Sequence, residues 1–391
     1  MSELTPMLKQ YNEIKAKHPN ELLFFRLGDF FELFGEDAKI ASSILNIVLT
    51  ARNKGTVNEM PMCGIPHHAL ENYLVKLLKA GQRVAICDQV SDPSLPGIVK
   101  REVVQIVTPG TTLVNSTLQN KNNNFIASLF LGKEVSQPLA KGWIWGLAIA
   151  DLTTGEFRVA EISDFNLLKN EIYRFDFSEI IVPQGLFNDT RFQGFIKSLK
   201  NVNVFQLSVF EKAYAILLQH FKMKNLHSFG IDNLKVGIES AGLLLGYLKN
   251  TQKNDLTHIQ KIQKYSFADY MVLDEATVRN LELFQTAHTA QFQGSLLSVI
   301  DKTITSMGGR CLRRWLMLPL LDKEKISQRL NAVADLKKES TLIKNLQENQ
   351  KIPPSVIESA NSVFKPIGNG YEYDNFDEII EVRNGKEIRI K

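Results

Sequence analysis

The sequence predicts a multidomain protein in which two α/β domains precede a mainly α-helical region. Its 391 residues are enough for two to four domains. Residues 1–109 and 125–257 alternate apolar runs with amphipathic stretches of helical spacing, which is the pattern of α/β domains. From about residue 258 helical spacing dominates. We therefore expect a linker at 110–124 and a third, helical domain at 258–391.

The first domain is predicted to begin with a helix at Thr5-Pro6, because threonine is a common N-cap and proline suits the first helical position. The runs "ELLFFRL", "RVAICDQV" and "REVVQIVTPGT" are typical of strands. The stretches "GEDAKIASSILNIVL" and "ALENYLVKLLKAG" have one apolar face each, and Gly81 suits the end of the second. These elements predict a compact α/β unit that ends near Pro109.

The second domain follows "LVNSTLQNKNNNF", which is rich in Asn, Ser and Thr and has no hydrophobic period, as expected of a linker. Strands are predicted at "FIASLFLG", "GWIWGLAIADLTTGEFRVAEI" and "EIIVP", with "DLTTGEF" as a hairpin turn. Helices are predicted at "DFNLLKNEIYRF" and "ESAGLLLGYLKNTQK".

The third region is predicted to be helical at "MVLDEATVRNLELFQTA" and again from Ser295 to Lys338, with breaks at Gly308-Gly309 and Pro319. The tail from Ile352 is harder to interpret. In the tail, Asn384-Gly385 either closes a small hairpin or ends a helix.

Composition excludes several classes of protein. Hydrophobic residues make up 44% and charged residues 23% of the chain, as in ordinary globular proteins. A net charge of +4 is small for this length and is weak evidence for a nucleic-acid partner. The N-terminus lacks the apolar segment of a signal peptide and no apolar run is long enough to span a bilayer. We expect a cytoplasmic protein with no membrane partner and with its three cysteines reduced.

Motifs for nucleotide hydrolysis and for hydrolases are absent from the sequence. Both Gly-Lys pairs, Gly132-Lys133 and Gly385-Lys386, are followed by Glu, so no phosphate-binding loop is present. No G-x-G-x-x-G, G-x-S-x-G or H-E-x-x-H motif occurs. We therefore expect no catalytic residues, no enzyme activity and no cofactor for this chain, and no Cys/His spacing indicates a metal site.

Asp151 and His67-His68 are the remaining candidates for metal chemistry. Asp151 ends a predicted strand, where ribonuclease-H-like nucleases carry a metal-binding aspartate. It also precedes "LTTGEF", so its carboxylate has a role in the turn, and no carboxylate cluster can be assembled around it. Adjacent residues such as His67 and His68 point apart on a strand or helix, so we expect that they do not share a metal ion.

Five long segments of the sequence are distinctive: "TPMLKQYNEIKAKHPNELLFFRLGDFFELFGEDAKIAS", "MPMCGIPHHALENYLVKLLKAGQRVAICDQVSDP", "KREVVQIVTPGT", "YMVLDEATVRNLEL" and "SLLSVIDKTITSMGGRCLRRWLMLPL". They resemble the MutS family of bacterial DNA mismatch-repair proteins. The resemblance runs from residue 3 to about 335. It implies a mismatch-binding domain at 1–109, a ribonuclease-H-like connector domain at 125–257 and part of the helical core (lever) domain at 258–391.

The family pattern breaks after about Lys337. "YDNFDEIIEVRNGKE" resembles a later part of the family's core, and the family's ATPase domain is missing. These departures predict a truncated chain with an internal deletion. ATP and Mg²⁺ are therefore cofactors of the full-length family and not of this chain.

The resemblance assigns mismatch recognition to a Phe-x-Glu motif, which here is Phe30 and Glu32 with Phe31 between them. A mispaired step stacks poorly, so an aromatic wedge in the minor groove opens it at lower cost than a matched step. Supporting contacts to the distorted step are expected from Leu27 and Met62, and contacts to phosphates from Arg52 and Lys54. The other phenylalanines of the same run are expected in the core: Phe24, Phe25, Phe31 and Phe34.

Two roles for Glu32 remain open. Burial and nearby phosphates raise the pKa of a carboxyl group, so Glu32 either takes up a proton and donates a hydrogen bond to a base, or stays ionised and discourages binding to matched duplex. Residues 1–109 contain twelve Lys/Arg and twelve Asp/Glu. A neutral domain cannot hold DNA by charge alone, so it must sense deformability.

The resemblance also implies partners: double-stranded DNA with mispairs or small loops, a second copy in the family's homodimer, and a MutL-like repair protein. A nucleoid-associated location in the cytoplasm follows from DNA binding. Two alternatives remain. One is a non-sensing or decayed family fragment that acts as an interaction module, and the other is a metal-dependent nuclease centred on Asp151.

Overall fold

The structure, a computed structural model, describes residues 5–55, 59–91, 99–112, 121–133, 142–199, 202–208, 212–267 and 269–338, and two strands within 379–390. Most of the predicted linker and tail, including 113–120, 352–378 and Asn384-Gly385, therefore lies outside the described residues. The chain forms two compact units. One contains residues 1–119 and 123–265, and the other contains 120–122 and 266–391.

The first unit contains two six-stranded sheets. The first sheet has the order β3-β4-β2-β1-β5-β6, in which β1 and β5 are parallel and the other neighbours are antiparallel. Its strands are β1 Leu22–Leu27, β2 Phe30–Phe34, β3 Thr50–Arg52, β4 Met60–Pro66, β5 Val84–Gln89 and β6 Arg101–Val107. Its helices are α1 Pro6–Lys17, α2 Gly35–Leu45 and α3 Leu70–Lys79.

The predicted helices of this region are present, with one correction. Helix α1 begins at Pro6 with Thr5 as its N-cap residue, as predicted. Helix α2 ends at Leu45 because Asn46 takes up the left-handed conformation, with φ 54°. Asparagine tolerates this conformation and often ends helices. The predicted extension of α2 through "NIVL" is therefore wrong.

Both faces of the first sheet are covered. On one face the buried residues of the sheet pack with those of α2 and α3, including Phe24, Phe31 and Leu77. On the other face Phe25 and Phe34 pack with Tyr11 of α1. Aromatic residues can therefore be buried on both sides of a single strand, because each side has its own core.

The second sheet has the order β11-β10-β7-β8-β9-β12. Strands β7, β8 and β9 are antiparallel, β10 is parallel to β7, β11 is parallel to β10, and β12 is parallel to β9. The strands are β7 Phe125–Lys133, β8 Trp143–Asp151, β9 Glu156–Ile162, β10 Glu179–Pro183, β11 Asn203–Leu207 and β12 Gln263–Lys264. The helices are α4 Phe165–Phe175, α5 Gln184–Phe187, α6 Thr190–Ser198, α7 Ala213–Phe221 and α8 Lys235–Gln252.

The predicted strands of this region, the "DLTTGEF" turn and α4 are confirmed. Helix α8 begins at Lys235, before the predicted start at Glu239. Most of its residues are buried, so it shows no clear polar face from which its length can be predicted. Strand β11 and helices α5 to α7 were not predicted.

The two sheets of the first unit meet around Glu179, which is fully buried at the start of β10. Its Oε2 atom accepts a hydrogen bond from the backbone N–H of Gly110 at 3.0 Å. Its Oε1 atom accepts one from the hydroxyl of Tyr247 on α8. Arg83 lies nearby, with its Cζ atom 4.9 Å from the Phe205 ring centroid. Hydrogen bonding to Glu179 thus connects the segment that follows β6 of the first sheet with β10 of the second sheet.

The second unit is mainly helical. Its described elements are α9 Glu275–Asn280, α10 Leu296–Ile300, α11 Ser306–Met317, α12 Lys323–Lys338, β13 Ile379–Arg383 and β14 Lys386–Ile390. Strands β13 and β14 are antiparallel with Arg383 opposite Lys386. Asn384-Gly385, for which a hairpin turn or a helix end was expected, lies outside the described residues.

Two predictions for this unit are wrong. The helix predicted at "MVLDEATVRNLELFQTA" is only α9, because Glu282 has φ 49° and its carboxylate accepts a hydrogen bond from Ala287 N at 2.7 Å. Gly308-Gly309 does not break a helix but lies in the first turn of α11, where Thr305 caps Gly308 N at 3.0 Å. The break comes earlier, at 301–305. The break at Pro319 is confirmed.

No helix within the described ranges is both long and apolar enough to cross a membrane. All three cysteines are free thiols, of which Cys63 and Cys87 are buried.

Candidate nucleic-acid interface

The turn between β1 and β2 presents the first residue of β2 at the end of the sheet. Leu27 is paired with Phe30, so only Gly28 and Asp29 connect the strands. Gly28 has φ 57°, a left-handed conformation that glycine adopts without steric cost. The carbonyl of Asp29 accepts a hydrogen bond from His67 N at 2.9 Å. The position of Phe30 is therefore fixed by strand pairing on one side and by a tethered turn on the other.

Strand β2 places its side chains alternately on the two faces of the sheet. Phe30, Glu32 and Phe34 share the face that α1 covers further along, whereas Phe31 points to the opposite core. Phe30 is 49% exposed and Phe31 is 2% exposed. The predicted burial of Phe24, Phe25, Phe31 and Phe34 is confirmed. A large apolar ring that remains half exposed at the end of a core face is available to a ligand.

The neighbours of Phe30 and Glu32 on β4 were missed by the sequence analysis. Pro66 is opposite Phe30, and Gly64 is opposite Glu32. A Cβ atom on Gly64 would lie 3.6 Å from Glu32 Cγ and 3.3 Å from the Phe31 carbonyl oxygen, so glycine leaves room beside Glu32. The segment "MPMCGIP" contains the pattern that could have predicted this strand, because its apolar residues Cys63 and Ile65 alternate and are buried in β4.

Glu32 forms an ion pair with Arg52. Arg52 Nη1 donates a hydrogen bond to Glu32 Oε2 at 3.1 Å. Partial burial raises the pKa of Glu32, and the charge of Arg52 opposes that rise. The Arg52 Cζ atom also lies 5.6 Å from the Phe34 ring centroid, within the range of a cation–π contact.

The other predicted contact residues lie at different distances from the exposed ring. Leu27 is half-buried and directly opposite Phe30. Met62 is half-buried opposite Phe34, further from the end of β2. Lys54 is exposed in the turn that follows β3. The structure therefore brings Phe30, Glu32, Arg52, Leu27 and Met62 onto one face and leaves Lys54 at its margin.

The carboxylate of Asp151 accepts hydrogen bonds at both of its oxygens. Oδ1 accepts from Thr153 N at 2.8 Å and from Thr153 Oγ1 at 2.6 Å, and Oδ2 accepts from Asn123 Nδ2 at 2.7 Å. The bonds from Thr153 are those that the turn interpretation predicted, whereas the bond from Asn123 was not predicted. Over the part of the chain that the structure describes, no three His, Cys, Asp or Glu side chains are grouped to hold a metal ion.

Family models match three consecutive parts of the chain. The model described as MutS domain I matches residues 5–116, MutS domain II matches 124–260, and MutS domain III matches 276–357. The third match continues past residue 335, where the resemblance was expected to end.

Individual relatives that match the chain are also MutS proteins. The chain is 43% identical over 355 residues to the DNA mismatch repair protein MutS of Halothermothrix orenii, covering 90% of this chain and 39% of the relative. The MutS proteins of Lachnoclostridium phytofermentans and Dehalococcoides mccartyi are 42% and 43% identical, over 86% and 85% of this chain and 36% and 38% of their own lengths. The chain thus spans less than two fifths of these relatives. With three MutS domain models matched in order along it, the chain belongs to the MutS family.

Proposed function

We propose that this chain recognises mispaired or unpaired bases in duplex DNA by inserting Phe30 into the minor groove. The observation that carries the proposal is the exposure of Phe30, 49% against 2% for Phe31. The ring projects from the end of a paired strand and needs no unfolding to reach a groove. This agrees with the position of the Phe-x-Glu motif that the family resemblance assigns.

The energetics favour a deformable step. Unstacking a base step costs on the order of a few kcal/mol, and stacking of a base on an aromatic ring returns about 1–3 kcal/mol. The balance is close to zero, so the few kcal/mol by which a mispair is already weakened decide whether insertion occurs. Phe30 lies between Leu27 and Pro66 across the sheet. These apolar neighbours support the ring without offering hydrogen bonds to one particular base.

Glu32 is placed to act on the same step. It lies two residues after Phe30 on the same face of β2, so both side chains point in one direction. Burial raises its pKa, and approach of DNA phosphates raises it further. We propose that Glu32 takes up a proton in the complex and donates a hydrogen bond to a base acceptor.

Most of the electrostatic affinity is proposed to come from outside the first domain. Residues 1–109 carry equal numbers of acidic and basic side chains, and a neutral domain gains little from counterion release. We propose that a second copy of the protein and the remainder of a full-length MutS supply phosphate contacts. A MutL-like protein is the proposed repair partner, and the nucleoid in the cytoplasm the proposed location.

The remaining domains are proposed to transmit and support recognition. The second sheet has three antiparallel strands followed by two parallel ones in the order β9-β8-β7-β10-β11, and we assign it as a ribonuclease-H-like connector domain. The second unit is assigned as part of the helical core. The sequence contains no phosphate-binding loop, so we propose that the chain has no ATPase activity and that ATP and Mg²⁺ act elsewhere in full-length proteins.

The test compares binding of the chain to three duplexes: one with a G·T pair, one with a single unpaired base, and one fully matched. Wild type is expected to prefer the first two. Phe30→Ala should lower affinity for them by about 5- to 150-fold, which corresponds to the loss of one stacking contact. Affinity for the matched duplex should stay within about threefold.

Val48→Ala is the control substitution, because Val48 is 82% exposed and is not among the residues proposed to contact DNA. It should leave all three affinities unchanged. Equal affinity of the wild type for all three duplexes would contradict the proposal and favour the alternative in which this family member is an interaction module without mismatch sensing.

A further inference from the structure

The ion pair between Glu32 and Arg52 joins strands that are not neighbours. Strand β4 lies between β2 and β3, so the Arg52 side chain extends across β4 to reach Glu32. Arg52 is opposite Met60 on β4 and Glu32 is opposite Gly64, so the side chain runs diagonally along β4 and ends beside Gly64. A Cβ atom at Gly64 would be in ordinary van der Waals contact with Glu32 Cγ at 3.6 Å, so glycine keeps the space beside Glu32 open. The local sequence therefore permits this long-range contact.

Arg52 is also held from a second side. Its Cζ atom is 5.6 Å from the centroid of Phe34, and Phe34 is 2% exposed. The Arg52 side chain nevertheless retains 34% of its exposure, and that of Glu32 retains 21%. The pair thus lies at the boundary between the core and the solvent. The Arg52 guanidinium thus contacts Glu32 and lies over the Phe34 ring, and the exposed part of the side chain is open to an approaching anion.

Arg52 is the charge that opposes the effect of burial on Glu32. Strand β1 places the apolar Phe25 opposite Glu32, and β4 places Gly64 there. Helix α1 contributes Tyr11 to this face, and its hydroxyl donates to the carbonyl of Phe34. Lys54 follows Arg52 by two positions and is exposed.

We propose that Arg52 is a positioning residue that holds the Glu32 carboxylate ionised and aligned along the sheet in the DNA-free protein, and that a DNA phosphate displaces Glu32 from Arg52. This inference rests on the proposed function for its second half, while its first half concerns the free protein alone. This role of Arg52 differs from a simple phosphate contact because the protonation state of Glu32 then depends on Arg52.

The exchange follows from the chemistry of the three groups. A guanidinium binds a phosphate through two parallel hydrogen bonds, which gives the phosphate an advantage over a single carboxylate oxygen. Once Arg52 turns to a phosphate, Glu32 remains partly buried beside a polyanion without its cation. Both conditions disfavour the ionised carboxylate. A proton from solvent then converts Glu32 into a hydrogen-bond donor next to the inserted Phe30.

The first test uses the DNA-free full chain labelled with ¹³C at glutamate carboxyl groups. The Glu32 signal is assigned by its absence in Glu32→Gln, and its pKa is measured by titration. Arg52→Met removes the charge and keeps an aliphatic stem over Phe34. It should raise the pKa of Glu32, whereas Arg52→Lys should restore most of the wild-type value. Lys54→Met, the matched control, should leave the pKa unchanged.

The second test measures binding to G·T and matched duplexes between pH 5.5 and 8.5. In wild type, the preference for the G·T duplex should weaken as pH rises and Glu32 loses its proton. Arg52→Met should retain that preference to higher pH, with a ratio of affinities about two- to fivefold above wild type at the alkaline end. In the Glu32→Gln background the same substitution should leave the ratio unchanged.

An unaltered pKa of Glu32 in Arg52→Met overturns the inference, whatever the DNA measurements show. So does an equal effect of Arg52→Met on both duplexes in the presence and absence of Glu32, because that is the behaviour of a phosphate contact alone. If Phe30→Ala keeps full mismatch preference, the proposed function fails, and the titration still decides the role of Arg52 in the free protein.

Discussion

Removal of the Tyr247 hydroxyl should destabilise the first unit in a pH-dependent manner. Tyr247 is 2% exposed, and its hydroxyl donates to Oε1 of the fully buried Glu179. Tyr247→Phe leaves that oxygen without its donor in a site closed to water. Leaving a buried polar group unsatisfied costs about 1–3 kcal/mol, and we expect a loss of that size in the free energy of unfolding.

The direction of the pH dependence follows from the pKa of Glu179. Burial raises this pKa, and hydrogen bonds from Thr108, Tyr247 and Gly110 oppose the rise. A carboxyl whose folded pKa is raised contributes stability that is complete below its ordinary pKa and is lost as pH rises through the folded value. The Tyr247 hydroxyl stabilises the ionised form, so Tyr247→Phe should cost more at pH 8 than at pH 5.

The assay is urea unfolding of the full chain, followed by circular dichroism at both pH values. Tyr214→Phe is the matched control, because Tyr214 is 39% exposed, and it should change the unfolding free energy by less than about 0.5 kcal/mol. A loss for Tyr247→Phe no larger than for Tyr214→Phe, or one that is larger at pH 5, would refute this account of the buried contact.

Three further predictions concern single side chains. Phe31→Ala should cost about 3–5 kcal/mol of stability because it truncates a core residue, whereas Phe30→Ala should cost only ~1 kcal/mol because half of its ring is already exposed. Thermal unfolding of both variants measures the two losses. Equal losses would contradict the exposure of Phe30. Asp151→Asn should lower stability by about 1–3 kcal/mol through its turn bonds, with neither protein cleaving DNA in Mg²⁺ or Mn²⁺; cleavage that depends on Asp151 would favour the nuclease alternative. A thiol reagent at pH 8 should label the half-buried Cys311 before Cys87, because burial raises the pKa of the Cys87 thiol to about 12. Mass spectrometry measures the order of labelling, and simultaneous labelling would argue against the buried position of Cys87.

The sequence located elements that have a regular polar and apolar period, such as helices α1 and α3, and elements that have a continuous apolar run, such as the buried strands β1 and β10. The turn between β8 and β9 was predicted from its turn residues. Strand β2 was not predicted, because "FFELF" shows neither pattern: its apolar residues belong to cores on opposite faces of the sheet, and Glu32 interrupts the apolar run.

The candidate site was predictable only in part for a similar reason. Phe30 and Glu32 were identified only through the resemblance of their segment to the MutS family, in which a Phe-x-Glu motif has this role. The pairing of Glu32 with Arg52 was not, because it spans 20 positions in the chain and depends on a strand lying between them. Gly64 and Pro66 lie beside Glu32 and Phe30 only because of the register of β2 with β4. No local pattern in the sequence specifies that register.

The row of side chains that ends in Phe30 has a mechanical consequence. Phe34, further along the same strand, contacts Tyr11 with ring centroids 4.9 Å apart, so the exposed ring belongs to a stiff hairpin that is braced by a helix. If Phe30 enters a groove as proposed, the force on its ring is borne by hydrogen-bonded strands and not by a mobile loop. On that proposal, substitutions at Tyr11 should reduce the bending of DNA more than they reduce binding affinity.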